Sequence, residues 1–235
     1  MKLFRTIIPA LAFFLPVSAQ EQRAVTGSLW SNWYVQAGLD MSLQNPYGCN
    51  FSKVFPKGKT FGLDVAVGKW FTPHVSLRGR LSWENGCPLF KNGHLEWVGP
   101  ADDPQQNMDK GGYIAASLDV PISVKYIFMD YAPGQRWNCY VFPRAGLCSN
   151  LAIHSASPSV GVGFGGTYRV KGRLGVYADM AYQVTTSEFT GGVSGTGMSV
   201  SSGSNGFFSF NIGVQVDLGK GRGAFATKAV TPPRP

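Results

Sequence analysis

Three histidines, His74, His94 and His154, are the side chains of this sequence best suited to move a proton near neutral pH. Nucleophilic catalysis would need one of them within hydrogen-bond reach of a hydroxyl or thiol and oriented by a third group. Ser155 follows His154 directly, but neighbouring residues of an extended chain point to opposite faces. Two positions after His154, where a side chain would share its face, stands Ala156. His74 follows Thr72-Pro73, and His94 lies within Asn92-Gly93-His94-Leu95-Glu96, both turn-like surroundings. The spacing of Cys49, Cys87, Cys139 and Cys148 lacks the closely paired ligands of a zinc site. Asp102-Asp103 lacks the alternating acidic pattern of a calcium loop. Gly161-Val162-Gly163-Phe164-Gly165-Gly166 is as rich in glycine as a phosphate loop, yet no Lys follows and it alternates as a strand does. The sequence therefore assigns no catalytic residue, no cofactor and no metal centre, and the chain reads as a non-enzyme.

The chemistry that remains is charge, and its placement is ordered. Leu63, Val65 and Val67 alternate with Gly62, Asp64, Ala66 and Gly68. Val75, Leu77, Gly79 and Leu81 alternate with Ser76, Arg78, Arg80 and Ser82. Val176, Ala178, Met180 and Tyr182 alternate with Tyr177, Asp179, Ala181 and Gln183. A period of two marks strands with two unlike faces. Strands are expected over 30–42, 60–70, 74–83, 112–128, 137–148, 158–170, 174–185 and 206–218. An all-β, closed, eight-stranded antiparallel up-and-down barrel accommodates them.

Every one of these segments carries a charge on its polar parity: Asp40, Asp64, Arg78 with Arg80, Asp119 with Lys125, Arg144, Arg169, Asp179 and Asp217. Five carboxylates against five bases permit a mutually neutralising network, which suits a confined interior where an unpaired charge is costly. The same parity is rich in small residues such as Gly161, Gly163, Gly165 and Gly213, as a crowded narrow lumen requires. The other parity is apolar, most clearly Phe208, Phe210, Ile212, Val214, Val216 and Leu218. Trp33, Tyr126, Phe128 and Trp137 collect at one set of strand ends, and Phe61, Trp83, Tyr182 and Phe208 at the other. Such girdles mark barrels in lipid. The connections are expected to alternate in length. The longer ones are Leu43–Lys59, Glu84–Gly111, Ser149–Ser157 and Thr186–Asn205; the shorter are Phe71–Pro73, Asp130–Arg136 and Lys171–Arg173. The apolar parity is read as facing the bilayer and the charged one as filling the lumen.

Composition agrees with export into a membrane. Residues 1–19 have the form of a signal peptide: Lys2 and Arg5, an apolar stretch to Val17, and the small-residue site Val17-Ser18-Ala19. The barrel domain is then assigned to 20–218, and 219–235 to a flexible basic tail on the periplasmic side. Charged residues make up 14% of the chain, low for a water-facing surface, where about 25% is usual. The net charge of +8 arises from scattered Lys and Arg with no clustered stripe, so nucleic acid is not an expected partner. Export permits disulfides. Cys139 and Cys148, nine residues apart on one strand, are separated by about 30 Å and cannot pair. Cys49 with Cys87 is the best-placed bridge, and free thiols are the alternative.

The hairpin Leu63-Asp64-Val65-Ala66-Val67-Gly68-Lys69-Trp70-Phe71-Thr72-Pro73-His74-Val75-Ser76-Leu77-Arg78 resembles the hairpin between the second and third strands of the eight-stranded OmpA-type outer-membrane barrels. The ending Phe207-Phe208-Ser209-Phe210-Asn211-Ile212-Gly213-Val214-Gln215-Val216-Asp217-Leu218-Gly219 is similar to their closing strand. The resemblance runs from about Trp30 to Leu218. It implies a bacterial outer-membrane protein with both termini periplasmic, inserted by the barrel-assembly machinery and surrounded by outer-membrane lipid. It implies a structural, envelope-integrity role and surface loops for adhesion or an extracellular ligand. That family's peptidoglycan-binding domain has no counterpart in Gly219–Pro235, so no cell-wall tether is expected. A narrow porin-like transport channel is the main alternative, followed by a soluble ligand-binding barrel and a lipid-modifying barrel enzyme.

Overall fold

The computed structural model describes residues 31–45, 59–91, 94–98, 112–125, 136–151, 154–186, 189 and 204–218. The expected signal peptide, the tail, Tyr126, Phe128 and Cys49 lie outside these residues. The described residues form eleven strands: β1 (Trp33–Asn45), β2 (Lys59–Trp70), β3 (Ser76–Glu84), β4 (Cys87–Lys91), β5 (His94–Val98), β6 (Tyr113–Asp119), β7 (Ile122–Ser123), β8 (Trp137–Asn150), β9 (Ser155–Lys171), β10 (Leu174–Thr186) and β11 (Ser204–Asp217). All but β4 and β5 belong to one sheet in the order β6-β3-β2-β1-β11-β10-β9-β8-β7, and pairing of β6 with β8 closes it. Because β6 and β7 succeed each other along one stave, the closed sheet is an antiparallel barrel of eight staves.

The register fixes its geometry. Tyr34 pairs with Gly68, Gly68 with Arg78, Arg78 with Asp119, Asp119 with Arg144, and Arg144 with Gly161. Gly161 then pairs with Gln183, Gln183 with Phe207, and Phe207 with Gln44. The circuit that left β1 at Tyr34 returns to it ten residues later, at Gln44. A stagger of that size on eight staves inclines the strands by roughly 40°. With β1 at 13 residues and β2 at 12, such strands stand about 30 Å tall, the thickness of a bilayer's hydrocarbon core.

Burial follows parity in the sense opposite to a soluble barrel. Along β3, Ser76, Arg78, Arg80, Ser82 and Glu84 are buried, while Leu77, Gly79, Leu81 and Trp83 are exposed. Leu39 and Ile212 are 62% and 64% exposed, whereas their neighbours Asp40 and Asn211 are 4% and 3% exposed. Exposed Val65, Val67, Leu118, Val141, Leu147, Val162, Phe164, Val176 and Val214 continue the apolar wall around the barrel. Phe61, Trp83 and Trp137 are exposed near strand ends, and Tyr182 packs on Phe208 across the β10–β11 ladder with ring centroids 4.7 Å apart.

Several sequence expectations are corrected. The fourth strand is not continuous over 112–128. It breaks at Val120-Pro121, because proline has no N–H for the ladder, and resumes as the two-residue β7. The connection after β3 is not wholly loop: β4 and β5 pair as a hairpin, from Cys87 with Val98 to Lys91 with His94. The expected alternation of loop lengths also fails. Strands β8 and β9 pair from Trp137 with Tyr168 out to Asn150 with Ser155, leaving only residues 151–154 between them, whereas 124–136 separate β7 from β8.

Candidate functional site

Among the described residues, the fold gathers reactive charge in the lumen. Its centre holds three guanidiniums and three carboxylates. Arg78 is fully buried; its Nη1 donates to Asp179 at 2.8 Å and its Nε to Asp119 at 3.0 Å, while its Nη2 lies 2.8 Å from Asp119. Arg144 forks onto Asp119, with Nε donating to Oδ1 at 2.6 Å and Nη2 to Oδ2 at 3.0 Å. Arg80 donates to Asp64 at 2.8 Å and also to Asp179. The remaining lone pairs are met by tyrosines: Tyr177 donates to Asp64 at 2.9 Å and Tyr140 to Asp179 at 2.7 Å. The Oε1 of Gln36 accepts from Arg78 at 3.2 Å. With three charges of each sign and each ion hydrogen-bonded to at least one opposite charge, only Arg78 Nη2 and Arg80 Nε lack a hydrogen bond, so the cluster largely meets the conditions under which buried ions are tolerated.

Aromatic rings fill the space between these ions. Phe142 lies between two guanidiniums, 4.8 Å from Arg78 and 5.2 Å from Arg144, and Tyr177 sits 5.7 Å from Arg80. Glycines of β9 make the room. A Cβ on Gly165 would collide with the Asp179 carboxylate and one on Gly163 with the Phe142 ring. That is the physical content of the glycine run, which lies wholly within β9.

β3 and β10 lie on opposite sides of the ring, four staves apart in either direction. The bonds from Arg78 and Arg80 to Asp179 therefore cross the whole lumen. Toward the end where β1 stops and β2 starts, Glu84 accepts from Ser42 at 2.7 Å and Tyr113 at 2.8 Å, and also from Thr60. Beyond it Tyr113, Phe189 and Phe207 pack on one another, with Tyr113 and Phe189 edge-on at 5.5 Å. Asn150 Nδ2 donates to the Phe189 carbonyl at 2.7 Å, which ties this cap to β8. At the opposite end Tyr34 bonds Ser76 at 3.0 Å beneath Trp70.

Of the ten charged residues expected in the lumen, Asp64, Arg78, Arg80, Asp119, Arg144 and Asp179 meet in the central cluster. Asp40 is buried but outside the ion pairs, and its Oδ1 has no hydrogen-bond partner. Lys125 donates to the Trp137 carbonyl at 3.0 Å and covers that ring, at the end of the lumen. Arg169 and Asp217 form a separate, partly exposed pair at 4.0 Å near the same end. The sequence places Glu84 in the connection after the third strand, yet it ends β3 and continues the even-numbered parity of Arg78, Arg80 and Ser82. Gln36, Tyr140 and Tyr177 carried only the weaker signal of polar parity. Cys148 is a buried free thiol and Cys139 an exposed one on the outer wall. The side chain of Cys87, like Cys49 as a whole, falls outside the described residues. His74 and His154 are exposed, and His154, directly before β9, takes a left-handed φ of 53°. Among the described residues no three His, Cys, Asp or Glu side chains group as metal ligands.

Geometry of this kind, an apolar wall around an ion-paired lumen, defines a transmembrane β-barrel. Neisserial surface protein A is similar in fold, at 13% identity over 80% of this chain and 97% of that one, with a TM-score of 0.49. The outer membrane protein OprG from Pseudomonas aeruginosa is similar at 8% identity over 82% and 98%, with a TM-score of 0.45. Ail, the attachment invasion locus protein of Yersinia pestis, is similar at 8% identity over 79% and 99%, with a TM-score of 0.41. No family profile and no curated protein matches the sequence. The likeness is one of shape alone, and the membrane reading rests on this chain's own surface.

Proposed function

We propose that this protein is a bacterial outer-membrane barrel with a side-chain-filled lumen, serving envelope structure and surface-loop contacts rather than conduction or catalysis. The observation that carries the reading is the pair of arginine bonds from β3 to Asp179 on the opposite stave, which obstructs the lumen at its centre. Eight staves return the chain to the side from which it entered, so both termini share one compartment, the periplasm. The connections β1–β2, β3–β6, β8–β9 and β10–β11 then face outward, with the β4–β5 hairpin among them. Outer-membrane lipid surrounds the wall, and the barrel-assembly machinery inserts it. The loops are the surface available to an extracellular ligand or partner.

Planar-bilayer recording of the purified protein tests this. Little or no steady conductance is expected at neutral pH. Large, stable open channels would overturn the closed-lumen reading and favour a narrow porin-like channel.

A further inference from the structure

The three central arginines are matched by Asp64, Asp119 and Asp179, yet two more carboxylates are buried in the lumen. Asp40 and Glu84 lie toward the capped end, 4% and 0% exposed, close enough to hydrogen-bond each other. Arg80 is within electrostatic range of Asp40, but its guanidinium is already held by Asp64 and Asp179. Two buried carboxylates this close cannot both stay ionised unless a proton or a cation lies with them. A second observation chooses between these. On the adjoining luminal wall, Asp40 Oδ1, Asn211 Oδ1, Gln183 Oε1 and Ser209 Oγ are buried oxygens with no hydrogen-bond partner. Asn211 is the cross-strand partner of Asp40, and Ser209 is two residues further along the same face of β11. A proton shared by Asp40 and Glu84 would leave these oxygens unsatisfied, whereas a cation would use them.

We propose that this layer is an occluded site for a hard divalent cation of the calcium class. Asp40 is its anionic ligand, Glu84 its second negative charge, and Asn211, Gln183 and Ser209 its neutral oxygen donors. Calcium takes about 6 to 8 oxygen ligands in adaptable geometry, with water completing the set. Two carboxylates cancel its charge, which a buried site requires. The Tyr113–Phe189–Phe207 cap closes the layer on one side and the arginine cluster on the other, so the ion would exchange slowly.

The test is calorimetric titration of calcium chloride into the full chain, folded in detergent micelles and stripped of metal with a chelator. One calcium per chain is expected, bound at least ten-fold more weakly by Asp40→Asn and unchanged by Asp217→Asn, at the far end of the barrel. Asn211→Ala is the second variant, expected to weaken binding several-fold, and it serves if Asp40→Asn does not fold. Absence of saturable binding overturns the proposal. So does binding that both Asp40→Asn and Asn211→Ala leave intact, which would place the ion on the loops. A wild type indifferent to calcium, with Asp40→Asn raising Tm, would mean that a proton alone joins the carboxylates. None of these outcomes bears on conductance, so the site and the closed-lumen reading fail separately.

Discussion

Asp119 should be the costliest single charge to remove from this protein. It accepts from two arginines, of which Arg78 has a second carboxylate in Asp179 and Arg144 does not. Replace Arg144 with Ala, and Asp119 loses the forked pair at 2.6 and 3.0 Å but keeps Arg78 at 3.0 Å. Two charge-assisted bonds are lost, but the carboxylate stays paired, so a loss of about 2–3 kcal/mol is expected, each such bond being worth roughly 1.5–3 before compensation. Replace Asp119 with Ala instead, and Arg144 is left without its carboxylate while Arg78 retains Asp179. That is the breaking of a buried pair, about 3–5 kcal/mol. The double variant removes both charges together, so its cost should fall below the sum of the singles by about 1–3 kcal/mol, the range for groups in one network. Urea unfolding in lipid vesicles, followed by tryptophan fluorescence, measures all four corners of the cycle. Additive losses, or Arg144→Ala costing more than Asp119→Ala, would refute the ranking of Asp119 as the hub.

Val65→Arg places a charge on the exposed wall and should impair assembly by roughly 2–4 kcal/mol at mid-membrane, while Ala66→Ser, one residue along and buried in the lumen, should be tolerated; heat-modifiable gel mobility reads both, and the reverse result would mean that the faces are exchanged. Gly165→Ala should cost about 1–3 kcal/mol because its Cβ meets the Asp179 carboxylate, whereas Gly79→Ala, whose nearest neighbour is the Val67 carbonyl at 4.0 Å, should be close to neutral. Protease added to intact cells should cut between Glu84 and Gly111, in the longest connection, and spare Gly219–Pro235; cleavage confined to the tail would invert the proposed topology.

Much of this architecture was legible because lipid and lumen impose opposite demands on alternate residues. The parity of Leu77, Arg78, Gly79 and Arg80 alone separates wall from interior. Legibility ended where those demands end. Ser149, Asn150 and Ser155 carry no apolar alternation, yet β8 and β9 pair through them, because beyond the hydrocarbon a ladder needs only its backbone bonds. The β4–β5 hairpin did leave a signal, Asn92-Gly93 between two five-residue runs, which is the usual two-residue hairpin turn. The turn composition of the long connection around it masks that signal. Which arginine meets which aspartate could not be read at all. Arg78 meets Asp119, 41 residues away, through the β3–β6 register, and meets Asp179, 101 residues away, only across the closed barrel.

The central charges have a role that stability alone does not explain. Apolar side chains of equal volume could fill the same lumen at similar or lower free energy, since desolvation offsets much of what a buried ion pair gains. A barrel in lipid with apolar residues on both parities, however, would have nothing to fix its register. Slipping β3 by one residue against β2 and β6 would turn Arg78, Arg80 and Glu84 out toward hydrocarbon and Leu77 and Leu81 inward. Each arginine so exposed costs roughly 2–4 kcal/mol near mid-membrane. Two of them on one strand exceed a large share of a typical domain's net stability of about 5–15 kcal/mol. The bonds across the lumen sharpen the constraint, because Asp179 on β10 is reached from β3 only when every intervening ladder is in step. The cluster that closes the lumen is thereby also what holds eight strands to a single register.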